Sequence, residues 1–293
     1  MVKKLGTPIS ISEVGVLLIG FNRPELLEKR INEIYESKVE NLYISIDGGR
    51  ESHTKEMDEI KKLAQKKFSK LPSFKLNHYQ NNLGLVKHVT GEISKVLAEH
   101  NYIIVIEDDI KISMNFMSNM INGLSIHKSK NSIGIISGFS PIHFKYAKNR
   151  WRTSRYPYLW GWACCRETWR KYDFDLSKTN LEMKLAHSKI WSTLKPSQKL
   201  NGLRLFRKVQ VNPLETWDAQ LVFLSYCENF VNLSPVFSIV SNEGFDDSRA
   251  THTKGKKPKF VSKSSINNSV LTQKSNFFNK ILNLIDNYWM NDL

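Results

Sequence analysis

The chain has 293 residues, 41% of them hydrophobic, enough to bury the core of one large α/β domain or two smaller ones. Three cysteines, Cys164, Cys165 and Cys227, are too few for a disulfide framework and lack metal-ligand spacing, so they read as core filler in a reducing compartment. Forty-three Lys and Arg against 28 Asp and Glu leave a net charge of +15, which favours an anionic partner: a nucleoside diphosphate, an acidic glycan, nucleic acid or an anionic membrane face.

At the N-terminus Glu13 interrupts the apolar run and "GVLLIGF" is too short to span a bilayer, so a soluble, cytoplasmic protein is expected. "VGVLLIGFNRPELLEKRINEIYES" reads as an apolar strand, a turn holding Asn22 and Pro24, and a helix with Leu26, Leu27, Ile31 and Ile34 near helical spacing. "NLYISIDGG" is a second strand ending in Asp47 and a glycine turn. Beyond the charged segment from Glu51 to Lys70, "FKLNHY" is a third strand and "LVKHVTGEISKVLAEH" a helix. This alternation predicts an α/β fold with a mostly parallel, doubly wound sheet.

Next comes "NYIIVIEDDI". Tyr102 to Ile106 are aromatic or β-branched without alternation, as in a strand covered on both faces. Glu107, Asp108 and Asp109 follow at its carboxyl end, where open α/β sheets place their ligands. Hard divalent cations take carboxylate and phosphate oxygens, so the triplet is either a metal site or a solvated turn.

The second half is less regular. "FMSNMINGLSIHKSK" reads as a helix and "SIGIISGF" as a short strand. "RYPYLWGWACCRETWRKY" is a dense aromatic segment leading into a helix, its rings serving as core or as platforms for sugar faces. In "ETWDAQLVFLSY", Asp218 is either a helix N-cap or a general base. "SNEGFDDSRATHTKGKK", after the apparent strand "PVFSIV", either folds over a phosphate or connects irregularly. The stretch from Lys254 to Asn276 reads as an irregular or mobile tail. Phe277, Ile281, Leu284, Ile285 and Trp289 outline a closing amphipathic helix that packs on the domain or lies on a membrane.

In this order, "GFNRPELL", "ISIDGG", "NLGLVKHV", "YIIVIEDDI", "YPYLWGWACCRETW", "TWDAQL" and "NEGFDDSRATH" resemble the nucleotide-sugar glycosyltransferases of GT-A fold. The similarity is to the inverting N-acetylglucosaminyltransferases that begin complex N-glycan branching and to related bacterial sugar transferases, and it covers Val14 to His252. The resemblance implies a Rossmann-like, mostly parallel twisted sheet flanked by helices, with an irregular acceptor-side second half. It implies a GT-A domain over 1–253, divided at about residue 112 into a nucleotide-binding and an acceptor-side half, followed by a basic linker and helix over 254–293.

By the same resemblance Arg23, Asp47 and His88 contact the nucleotide, Glu107 and Asp108 face ribose or donor sugar, and Asp109 holds Mn²⁺ or Mg²⁺. Asp218 is the catalytic base, and Ser248, Arg249 and His252 close over the diphosphate. The implied reaction moves a sugar, GlcNAc from UDP-GlcNAc as first candidate, to a glycan or lipid-linked glycan in bacterial polysaccharide or lipopolysaccharide synthesis. The sequence departs from the eukaryotic relatives in showing no anchor or luminal stem, in its late loop, and in Ala219 and Gln220, where they carry a second acid. Two rival readings are a metal-dependent nucleotidyltransferase, which would release pyrophosphate, and a basic nucleic-acid-binding protein. No helix-turn-helix, RNP-like or zinc-finger pattern supports the second, and nucleic acid is not an expected partner.

Overall fold

The computed structural model describes residues 8–128, 132–141, 150–247, 249 and 266–271. Its first half alternates strand and helix: β1 (Val14–Gly20), α1 (Pro24–Tyr35), β2 (Asn41–Ile46), α2 (Lys55–Phe68), β3 (Ser73–His78), α3 (Leu85–Glu99) and β4 (Tyr102–Glu107). Then follow β5 (Ile110–Ile112), α4 (Phe116–Lys128), β6 (Ile133–Ser137), β7 (Trp151–Ser154), β8 (Trp162–Cys165) and α5 (Arg166–Trp169). The rest comprises α6 (Leu181–Ala186), α7 (Lys189–Ser192), α8 (Pro196–Val211), α9 (Asp218–Cys227), β9 (Val231–Pro235) and β10 (Val240–Asn242).

Eight strands form one sheet in the order β3-β2-β1-β4-β8-β6-β9-β7, and β5 pairs with β10 in a separate two-stranded ribbon. The run β3-β2-β1-β4 is parallel throughout, β8 lies antiparallel between β4 and β6, and β6 runs parallel to β9. The chain is thus a mixed α/β protein with a large, mostly parallel sheet flanked by helices.

Both faces of the central strands are covered, which explains their unbroken apolar runs. On β1 and β4, Val16, Leu18, Ile104 and Ile106 join the core under α1, α2 and α4. Their neighbours Leu17, Ile19, Ile103 and Val105 point the other way, into a core shared with α3, Trp162 and Trp217. A third core, with Trp191, Phe206, Phe223 and Tyr226, holds the helices of the second half together.

The charged segment left unassigned by sequence contains α2. Its signal was present: Thr54 caps the helix by accepting from the Met57 amide at 3.1 Å, and Met57, Ile60, Ala64 and Phe68 are buried along one face. The expected strand "PVFSIV" divides between the end of β9 and the start of β10: the Val236 amide extends the β9–β7 register to the Arg150 carbonyl, and the Ile239 amide pairs with the Gly138 carbonyl. Residues 266–271 of the expected mobile tail are irregular but docked. Asn119 accepts from the Leu271 amide at 2.8 Å and donates to the Ser269 carbonyl at 3.1 Å, and Leu271 is buried. The predicted closing helix lies outside the described residues.

Candidate active site

The sheet's parallel register brings the carboxyl ends of β1, β2 and β4 to one edge, where Ile19 pairs with Glu107 and Gly20 with Ile46. Two further amides continue the ladder past the strands, Asp47 to the Gly20 carbonyl and Asp108 to the Ile19 carbonyl, each at 2.9 Å. The first turn, Asp47 and the acidic triplet are therefore neighbours. They open into a cleft of about 580 Å³, lined also by His88, Asp218 and Arg249. Every described residue that the sequence singled out as a site residue lies on this cleft. Ser248 and His252 lie outside the described residues.

Within the triplet, Arg23 donates from Nε to Asp108 Oδ2 at 3.3 Å, from Nη1 to Asp109 Oδ2 at 3.2 Å, and from Nη2 to Asp108 Oδ1. The Glu107 side chain has no hydrogen bond or ion pair among the described residues, and the residue lines the cleft. Burial pushes Glu107 well above the usual carboxylate range, and Asp109 and Asp108 add to the rise. Asp108 is pushed up to about 7 by burial, against the pull of Arg23, and Asp109 rises for the same reason against the same guanidinium. Three crowded carboxyl groups with one arginine between them thus hold their protons more tightly than usual, and a further cation could take the place of those protons.

The ribbon of β5 and β10 delivers the late loop to this point. Asn242 pairs with Ile110, and the Glu243 amide donates to the Asp109 carbonyl at 2.8 Å. Gly244 lies directly on Asp109: a Cβ there would clash with Oδ2. Its amide donates to Asn242 Oδ1 at 2.7 Å, and Asn242 itself lines the cleft. Among the described residues no group of three or more His, Cys, Asp or Glu side chains forms a ready metal cage. A hexacoordinate hard cation needs only one or two carboxylates where substrate phosphates and water complete its shell, and the donor set around Asp109 fits that requirement.

Asp47 is 4% exposed, and its Oδ1 accepts from the Gly48 and Leu83 amides, each at 2.8 Å. It thereby clamps the segment entering α3 onto the end of β2. His88, also buried, shares a 2.8 Å hydrogen bond with Ser45 through Nε2 and meets Tyr79 edge-on, and burial lowers its pKa. It is a packing histidine that also reaches the cleft. Arg249 bridges the late loop to the first turn, pairing with Glu25 and with Asp247 at 2.9 Å and donating to the Asn22 carbonyl at 3.1 Å.

Asp218 is the first residue of α9. Oδ1 accepts from the Ala219 amide at 2.8 Å and from the Thr216 hydroxyl, whereas Oδ2 accepts nothing from the described residues. One oxygen therefore fixes the helix start while the other is free. Its position is set from behind by stacked aromatics: Trp217 lies on Trp162 at 5.7 Å, and Tyr172, stacked on Trp169 at 4.4 Å, donates to the Trp217 carbonyl at 2.9 Å.

The "WGW" segment divides between the two roles left open by sequence. Gly161 takes φ +52°, a left-handed conformation that breaks strand alternation, so that Trp160 lines the cleft with Tyr156 and Tyr158 while Trp162 is wholly buried. Asn82, Thr216 and Asn242 also line the cleft; each opens one of the quoted sequence blocks but was not singled out, since short polar residues are common in turns.

No family model and no curated protein matches this sequence. Among solved structures the chain is similar to the mannosyltransferase PcManGT from Pyrobaculum calidifontis in complex with GDP-Man and Mn²⁺, at 12% identity and a TM-score of 0.40, over 69% of this chain and 56% of that one. It is also similar to UDP-glucose pyrophosphorylase complexed with UDP-glucose, at 10% identity and a TM-score of 0.37, over 77% of this chain and 91% of that one. Similarity this remote assigns neither a family nor a substrate.

Proposed function

We propose that the protein is a metal-dependent, inverting nucleotide-sugar glycosyltransferase. Its donor is a UDP-sugar, with UDP-GlcNAc the first candidate, and its acceptor is a hydroxyl of a glycan or glycolipid. The observation that carries this reading is the opening of Asp109 and Asp218 into one cleft whose volume suits a nucleotide-sized ligand.

Asp109 and the neighbouring carboxylates would hold Mn²⁺ or Mg²⁺, which neutralises a departing diphosphate when bound. Arg23 and Arg249, both on the cleft, are the cations placed to meet phosphate oxygens. Tyr156, Tyr158 and Trp160 offer apolar faces for a sugar ring. Asp218 lines the cleft with Oδ2 accepting nothing from the described residues, and its held Oδ1 would keep that oxygen oriented, as removal of an acceptor hydroxyl proton requires.

None of the helices among the described residues is long and apolar enough to cross a membrane. The setting we propose is cytoplasmic, with the acceptor presented in bacterial polysaccharide or lipopolysaccharide assembly and the C-terminal segment available for peripheral membrane contact. Incubation with a panel of UDP-sugars, Mn²⁺ and mixed glycan acceptors tests the reading. The expected products are free UDP and an elongated acceptor, with chelation of the metal stopping turnover. Transfer of UMP with release of sugar 1-phosphate instead would overturn it in favour of a nucleotidyltransferase.

A further inference from the structure

A second depression of about 450 Å³ lies between α3 and the segment that begins with α5. Phe174, 50% exposed, and the half-buried Tyr172 line it together with Arg166 and Arg170, and no carboxylate does. Trp169, stacked on Tyr172, is fixed by donating from Nε1 to Ser94 Oγ at 2.9 Å. Among the described residues Arg166 donates only to backbone carbonyls, those of His100 at 3.2 Å and Ala98 at 3.5 Å, and pairs with no acid. The exposed Arg170 side chain has no hydrogen bond or ion pair among the described residues. The groove is therefore aromatic on its floor and positive at its rim.

The groove and the cleft lie on either side of a shared wall. The Tyr172 hydroxyl donates to the Trp217 carbonyl, the residue before Asp218, and Gln220 Nε2 donates to the Phe174 carbonyl at 3.2 Å. We propose that the groove binds the acceptor and that the acceptor is an acidic glycan, specifically one bearing uronic acid residues. This rests on the glycosyltransferase reading of the cleft and deepens it. A sugar ring places its C–H face on an aromatic ring, and the carboxylate of a uronate is bonded directly to that ring, so a stacked residue carries its charge at the rim. Guanidinium pairs with a planar carboxylate through two parallel N–H···O bonds, which a neutral sugar cannot offer. A chain bound this way would run past Tyr172 and Phe174 towards Asp218.

Calorimetric titration of the full chain with tetragalacturonate, without donor, tests the proposal, with maltotetraose and a single-stranded oligonucleotide as controls. Arg170→Glu and Phe174→Ala change exposed side chains away from the cleft and should keep the fold. The expected result is tetragalacturonate binding weakened at least tenfold in both variants, far weaker binding of maltotetraose, and an unchanged thermal response to UDP-sugar with Mn²⁺. Wild-type affinity in both variants would place binding elsewhere on the basic surface and overturn the groove, as would equal affinity for maltotetraose, no binding at all, or loss in the variants of oligonucleotide binding alone. The two readings fail separately. Groove binding without any donor response would sink the donor site and leave the groove standing, whereas a donor response with unaffected variants would do the reverse.

Discussion

Arg23 lies between Asp108 and Asp109 and donates to both, to Asp108 from Nε and Nη2 and to Asp109 from Nη1 at 3.2 Å. The guanidinium is thus the resident counter-ion of the acids proposed to hold the metal. A cation entering beside Asp109 competes with Arg23, and a released Arg23 is free to meet a phosphate. Arg23→Gln should bind Mn²⁺ alone roughly tenfold more tightly, about 1.4 kcal/mol, and bind UDP more weakly. Calorimetry with each ligand separately checks this, and unchanged Mn²⁺ affinity would show that Arg23 does not compete for the site.

Asp218 divides its work between two oxygens, and Asn can retain the one that accepts from Ala219 and Thr216. Asp218→Asn should therefore unfold at the wild-type temperature and bind donor normally, while transfer falls about 10²- to 10⁴-fold, the usual worth of a positioned base. A rate within a fewfold of wild type would assign the proton to another group.

Gly244 has no room for a methyl group beside Asp109. Gly244→Ala should push the carboxylate or the late loop aside and lower metal-dependent donor affinity by roughly tenfold, with a stability loss within the ordinary ~1 kcal/mol of a point mutation. Donor titrations with and without Mn²⁺ separate the two effects: a loss that is equal in both conditions would show that Gly244 acts on the nucleotide rather than on the metal.

His78 is held neutral. Burial, then its stacked neighbour His53 at 4.0 Å, lowers its pKa to about 4, and Lys61 donates to its Nδ1 at 3.2 Å. In the unfolded chain it titrates near 6.5. As pH falls from about 6.5 to about 4 the unfolded state takes up this proton first, so stability present above 6.5 is lost across that window. Urea midpoints of wild type should therefore fall relative to those of His78→Gln as pH drops from 7 to 4, and parallel curves would show that His78 does not carry this dependence.

Much of the first half of the fold was legible because local and long-range forces agree there. Buried parallel strands must be apolar along their whole length, so the point where Tyr102 to Ile106 gives way to Glu107 marks both the strand end and the sheet edge. Asp47 was legible on the same grounds. The insertion of β8 between β4 and β6 was not, because pairing of Ile103 with Cys164 and of Ser137 with Trp162 is decided by partners distant in sequence. The misplaced strand around Val236 has the same cause: its composition suits a strand equally well along its length, and only pairing with β6 and β7 selects Val231–Pro235. Nor could spacing reveal that Arg23 pairs with acids 85 and 86 positions away.

On the proposed function, Asp109 secures a nucleotide sugar within the cleft that Asp218 also lines. Thermal unfolding of wild type, Asp109→Ala and Asp218→Asn with UDP-sugars and Mn²⁺ tests it most directly, since a ligand at a hundred times its Kd stabilises the native state by about 2.7 kcal/mol. The account predicts a metal-dependent rise in Tm for wild type and Asp218→Asn and none for Asp109→Ala. An equal rise in all three, or no rise with any nucleotide sugar, would contradict it.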